Sequence, residues 1–248
     1  MIFSPQSPPY LSKLSTLANL RDIGGLETVD GRQLRTGLVF RCDSLQDITA
    51  AEAAVLVDEI GIRTVIDLRI GRESIREGRG PLVNHPIQYV NVPLIDVDGP
   101  KGPPGRVLLD FYIDHLDNDA NLPVAVQTLA HLADRPVLAH CAAGKDRTGL
   151  LMLLVELLAG VRPDEAERDF MRTADNMERI RARLRTWAHY AHNMETLSPE
   201  IYECEPHSVA GALDHLVAKY GTAEAWAEAK GIPDTTVALL RDRLVEPS

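Results

Sequence analysis

The stretch Val137-Leu138-Ala139-His140-Cys141-Ala142-Ala143-Gly144-Lys145-Asp146-Arg147-Thr148-Gly149-Leu150-Leu151-Met152-Leu153-Leu154-Val155 decides how the chain is read. Its first four residues follow the turn Asp134-Arg135-Pro136 and read as a short buried strand. An apolar helix is predicted from about Arg147 to Ala159, with Gly160 as its stop. The loop between them is built of small residues, so its backbone can approach a ligand closely. Successive N–H groups in a tight loop converge into an anion-binding concavity. The helix N-terminus beyond adds unpaired N–H groups and a favourable dipole.

The side chains on that loop suit an anion. Cys141 sits at its mouth, where helix termini and nearby cations lower a cysteine pKa from about 8.5 to roughly 3.5–7.5. Arg147 can offer a bidentate fork to two phosphate oxygens. Thr148 can donate a hydroxyl to the sulfur, and Lys145 is expected to add positive charge at the rim. A lone cysteine in a strand-to-helix turn is more often structural. Here cysteine, small residues, lysine and arginine converge on one helix start, which favours a nucleophile. The expected phosphate-binding set is Ala142, Ala143, Gly144, Lys145, Asp146, Arg147 and Thr148.

Outward from the loop, Thr49-Ala50-Ala51-Glu52 is a capping-box pattern followed by Val55, Leu56 and Ile60 at helical spacing. Residues 63–68 and 89–94 read as strands, and Pro123 suits the first turn of a further helix. A Gly/Pro-rich loop runs from Asp96 to Arg106. Alternation of helix and strand over 36–160 predicts an α/β fold, with a mostly parallel central sheet flanked by helices in three layers. Beyond 160 the strands stop, and 162–248 reads as a helical extension of a single domain spanning 1–248. In it Met177, Ile180, Leu184 and Trp187 recur at helical spacing, Ser208 can cap a helix, and 222–230 and 234–245 suit two more. Arg69, Arg72, Arg76 and Arg79 follow the strand ending at Leu68 and read as a solvated face diluted by Glu73 and Glu77.

The 248 residues are 45% hydrophobic, enough for a substantial core. A net charge of −10 argues against nucleic-acid binding and against a polybasic membrane surface. The longest apolar run, Leu150–Val155, is far short of the roughly 20 residues a membrane helix needs. The first ten residues lack a basic start and a continuous apolar segment, so a secretory signal is not expected. Three cysteines cannot all pair within one chain, and a reducing, cytoplasmic setting follows, with export by a non-classical route left open. The histidines show no metal-ligand spacing.

The loop His140-Cys141-x5-Arg147-Thr148 resembles the signature of the protein tyrosine phosphatase superfamily. Gly144-Lys145-Asp146-Arg147-Thr148-Gly149 is similar to its branch of bacterial tyrosine and lipid phosphatases. Asn19-Leu20-Arg21-Asp22-Ile23-Gly24-Gly25 resembles that branch's N-terminal motif, and Thr36–Asp43 its next strand, with Cys42 where serine is expected. The resemblance implies a phosphomonoester substrate: phosphotyrosine, phosphoserine or phosphothreonine, or a phosphoinositide. It implies a phosphocysteine on Cys141, charge stabilisation by Arg147, and no metal or organic cofactor. For the general acid it implies Asp146 first, with Asp96 (or Asp98) on the Gly/Pro-rich loop second. It also suggests that the helix around Arg179–Arg185 is an active-site lid. Two alternatives stand beside this: a sulfurtransferase with a loop persulfide, and a non-catalytic module binding phosphorylated partners. Arg21 and Asp22 either orient the phosphate site or form a local turn pair, and Cys42 is a candidate for reversible pairing with Cys141.

Overall fold

The computed structural model describes residues 12–94 and 102–247. Five strands form one sheet: β1 (Arg21–Asp22), β2 (Val39–Cys42), β3 (Thr64–Asp67), β4 (Gln88–Asn91) and β5 (Val137–His140). Their spatial order is β1-β2-β5-β3-β4, parallel throughout except for the antiparallel edge strand β1. Every residue of β2, β3 and β5 is buried. That matches inner parallel strands covered on both faces.

The period of two along each strand divides the core. Val39, Ile66, Val137 and Ala139 face one layer of helices, whereas Phe40, Val65 and Leu138 face the other. The predicted three-layer α/β architecture is therefore present. The thinner side holds α1 (Ala50–Ala54), which continues as a π-helical turn over Val55–Glu59. Its capping box forms as read: Glu52 N–H donates to Thr49 Oγ1 at 3.1 Å, and Thr49 N–H to Glu52 Oε2 at 2.8 Å. A short helix not expected from periodicity, α2 (Gly71–Glu77), follows β3. Its one apolar side chain, Ile75, is 86% exposed, so it carries no apolar stripe to read.

The thicker side holds α3 (Val107–Asn118), α4 (Asn121–Leu132) and α5 (Asp146–Ala159). Almost every position of α5 is buried, as befits a helix that is apolar all round. Gly160 ends it at φ +92. Then come α6 (Pro163–Met171), α7 (Met177–Leu184), α8 (Ala188–Thr196), α9 (Pro206–Tyr220), α10 (Ala223–Ala229) and α11 (Asp234–Leu244). Trp226, Leu240 and Leu244 share one cluster with Ile66 and Val137, so the late helices pack into the same core as the sheet. Two expectations are corrected. The stretch 177–187 is broken, with Trp187 in extended backbone ahead of α8. Ser208 does not cap α9, which starts at Pro206, and the Ser208 hydroxyl is buried without a partner among the described residues. Among the described residues no helix is long and apolar enough to cross a membrane.

Candidate active site

Parallel pairing sets the C-terminal ends of the three inner strands side by side, since Cys42 and Asp67 both register with His140. Whatever follows those strands must gather at one edge, the place where open α/β sheets present ligand sites. Cys141 leaves β5 there, and residues 142–145 turn the chain into α5.

The loop is held from outside through its carbonyls. His140 Nδ1 lies 3.1 Å from the Cys141 carbonyl, and Ser44 N–H donates to the Ala142 carbonyl at 3.0 Å. Asn19 Nδ2 donates to the Ala143 and Gly144 carbonyls at 3.3 and 2.9 Å, and Arg41 to the Gly144 carbonyl at 2.9 Å. A trans peptide is planar with C=O and N–H opposed. Carbonyls drawn outward therefore turn the N–H groups of residues 142–145 to the inner side. Gly144 permits this path: it sits at φ +66, and a Cβ there would lie 2.3 Å from the Cys42 carbonyl oxygen.

The inner side is a cleft of about 410 Å³. Cys141, Ala142, Ala143, Asp146 and Arg147 line its floor, Arg72, Glu73 and Arg76 one wall, and Met177, Leu184, His189 and Tyr190 another. The sequence-derived nucleophile, clamp and first-choice acid thus meet in one cavity. Asp96 and Asp98 lie outside the described residues. Arg147 is gripped in bidentate fashion by Glu73, Nη1 to Oε2 at 2.6 Å and Nη2 to Oε1 at 3.2 Å. Burial pushes the Glu73 carboxyl up, but Arg147, the Ile70 N–H and Tyr190 outweigh it and hold it below its usual range. Asp146 Oδ1 accepts from the Tyr112 hydroxyl at 2.7 Å.

Several expectations change here. Lys145 is not at the rim: it is 1% exposed, and its ammonium donates to the Ile201 and Glu203 carbonyls, 3.4 Å from Asp146 Oδ1. It ties the loop to the segment ahead of α9. The Thr148 hydroxyl is buried and makes no hydrogen bond among the described residues, to the sulfur or otherwise. The four arginines after β3 are not one solvated face. Arg69 is wholly buried between Asp67 and Glu77, at 2.7 and 2.9 Å. Arg72 and Arg76 line the cleft, and Arg79 stacks on Tyr89 at 4.8 Å. Arg21 does not pair with Asp22. It binds Asp169 at 2.8 Å and Asn19 Oδ1 at 2.6 Å, supporting the side chain that holds the loop, while Asp22 accepts N–H bonds from Gly24 and Gly37.

The arginines of α7 turn away from the cavity. Arg179 donates to the Ser15 carbonyl, Arg181 pairs with Glu203, and Arg183 pairs with Asp43. Met177 and Leu184 are the α7 residues that face the cleft. Cys42, Cys141 and Cys204 are free thiols, and burial, with the charge of Asp43, pushes Cys42 well up. Glu73, Glu77 and His189 place one ligand atom each within 4.8 Å of the others. Both carboxylates are engaged by Arg147 and Arg69, whose charges oppose a cation. Sequence reasoning missed Glu73, Tyr190 and Tyr112. Glu73 and Tyr112 sit in helical stretches without a motif, and only folding brings any of the three to the loop.

The chain is 27% identical to the triple specificity protein phosphatase PtpB of Mycobacterium tuberculosis, over 92% of this chain and 96% of that one. Two solved structures are similar at low identity. TpbA of P. aeruginosa, in a complex with phosphotyrosine, matches at 17% identity and TM-score 0.39, covering 61% of this chain and 80% of that one. The catalytic core of the PP-IP phosphatase SIW14 of S. cerevisiae, in complex with citrate, matches at 16% and TM-score 0.36, covering 80% of this chain and 94% of that one. Residues 12–246, almost the whole chain, match the tyrosine phosphatase family, and the chain belongs to that family.

Proposed function

We propose that this chain hydrolyses phosphotyrosine and other phosphomonoesters, including a phosphoinositide, through a phosphocysteine on Cys141. One observation carries the reading: Cys141, Arg147 and Asp146 line one cleft beneath a loop whose carbonyls are all tied outward. The Cys141 thiolate attacks phosphorus and forms the S–P bond. The P–O bond to the alcohol breaks, and Asp146 gives its proton to the departing oxygen. Water then attacks phosphorus, Asp146 takes a proton from it, and the S–P bond breaks to return the thiolate and inorganic phosphate. The N–H groups of residues 142–147 and the fork of Arg147 stabilise the equatorial oxygens in both steps. Asp96 is the second choice for the acid.

The breadth of substrate is supported by the "triple specificity" of the mycobacterial relative and by Arg72 and Arg76 on the cleft wall, which suit further negative charge. Helices α7 and α8 act as the lid. Three free thiols fit a reducing, cytoplasmic site of action.

The test is phosphate release from phosphotyrosine, phosphothreonine and phosphoinositide substrates by wild type, Cys141→Ser and Asp146→Asn. Release by wild type only, with Cys141→Ser silent, supports the nucleophile. Release by Cys141→Ser at the wild-type rate overturns it. A thiosulfate:cyanide transfer activity without phosphate release would point to a persulfide enzyme instead.

A further inference from the structure

We infer that Tyr190, on α8, is a positioning residue for the phosphate clamp, acting on Arg147 through Glu73. This rests on the reading of Arg147 given above and extends it to a helix far along the chain.

Glu73 is the hub. Its side chain is 5% exposed, and its Oε2 accepts from Arg147 Nη1 at 2.6 Å and from the Ile70 N–H at 3.0 Å. Its Oε1 accepts from Arg147 Nη2 at 3.2 Å and from the Tyr190 hydroxyl at 3.1 Å. The Ile70 N–H anchors one oxygen to α2. The Tyr190 hydroxyl anchors the other to α8. Anchored at both oxygens, the carboxylate has one plane available, and the Arg147 fork must lie in that plane to stay bidentate.

Tyr190 suits the task. It is buried, and burial together with the charges of Glu73 and Glu77 pushes its hydroxyl far above the ordinary tyrosine range, so it remains a donor at any working pH. His189 packs against its ring at 4.5 Å. Both residues line the cleft, so the helix covering the substrate also sets the clamp. Displacing α8 removes the Tyr190 anchor from Glu73 Oε1, lets the carboxylate rotate and loosens Arg147. Anion affinity and α8 position are coupled through this one hydroxyl.

The experiment is a double-mutant cycle with Tyr190→Phe and Glu73→Gln. Readouts are the inhibition constant of orthovanadate, kcat and KM on p-nitrophenyl phosphate, and the Arg147 side-chain ¹⁵N resonances. Phe keeps the ring, and Glu73 Oε1 keeps its bond from Arg147, so that acceptor is not orphaned. Tyr190→Phe should weaken vanadate and lower kcat/KM by about tenfold, the worth of one charge-assisted hydrogen bond. It should also broaden the Arg147 signals. In the Glu73→Gln background the same change should do nothing further. Equal effects in both backgrounds would show that Tyr190 does not act through Glu73. Unchanged vanadate affinity and unchanged Arg147 signals in Tyr190→Phe would overturn the inference. Loss of all phosphatase activity in wild type would instead sink the functional reading and leave the Arg147 resonances to judge the coupling.

Discussion

Replacing Gly144 by alanine tests the loop geometry most directly. A Cβ at this position would lie 2.3 Å from the Cys42 carbonyl oxygen, 2.5 Å from its carbon and 2.8 Å from the Asp43 nitrogen. Those are backbone atoms at the end of β2, which is hydrogen-bonded on both sides by β1 and β5 and cannot withdraw. The loop must move instead. Residence of an L-residue at φ +66 costs about 1–2 kcal/mol. Moving the Gly144 carbonyl off Arg41 and Asn19, both at 2.9 Å, loses about 2 kcal/mol more. The sum, about 3–4 kcal/mol, corresponds to a fall in Tm of roughly 10 °C for a chain of this size. Displacing the inward N–H groups should cut kcat by roughly 10²–10³, the size measured for losing one oxyanion donor. Melting and phosphate release are compared with Gly160→Ala, where φ is +92 and, among the described residues, no atom beyond the chain neighbours lies within 4 Å of the added carbon. That variant carries backbone strain alone, about 1 kcal/mol, and should keep its activity. If Gly144→Ala behaves like Gly160→Ala in both assays, the loop does not depend on close approach to β2.

Asp146→Asn should lower kcat by about 10²–10³ on phosphothreonine, whose leaving oxygen needs a proton, and far less on p-nitrophenyl phosphate. Equal losses on the two substrates would argue against an acid role. Arg72→Gln with Arg76→Gln should raise KM about tenfold more for a substrate carrying a second phosphate than for one carrying a single phosphate, with Arg135→Gln as the charge control. An equal rise for both substrates would mean the pair only shapes the wall. Asp67 is pushed up by burial, but His140, Arg69 and Tyr89 outweigh this and hold its carboxyl at about 2. A carboxyl lower in the folded than in the unfolded state stabilises above the unfolded value of about 3.9 and loses that contribution as pH falls through 2. Urea titrations should therefore show wild type losing ~2 kcal/mol more than Asp67→Asn between pH 4 and 2. Parallel pH dependences would show that Asp67 is not the group responsible.

The chain's local grammar was legible. Val137–His140, the small-residue turn and the apolar run behind it read as strand, loop and helix, because a short run bounded by Asp134-Arg135-Pro136 and small residues suits a strand and the longer run Leu150–Val155 suits a helix. Cys141, Arg147 and Asp146 were readable for the same reason: they lie within seven residues, and one helix start brings them together. Long-range partners were not. Glu73 read as diluting a charged face, yet it lies 74 positions before Arg147 and grips it only because β3 and β5 run parallel and end together. Lys145 read as a rim charge, and only the arrival of 201–203 turned its ammonium into a tie. Tyr190 lies beyond the stretch 177–187 read at helical spacing, and its hydroxyl reaches Glu73 from α8, past the break at Trp187. Local sequence determined which backbone segments form and where a nucleophilic loop can exist, because those depend on neighbours a few residues apart. Tertiary structure alone decided which buried charges meet, because a buried ion needs a partner and only the packing of distant segments supplies one.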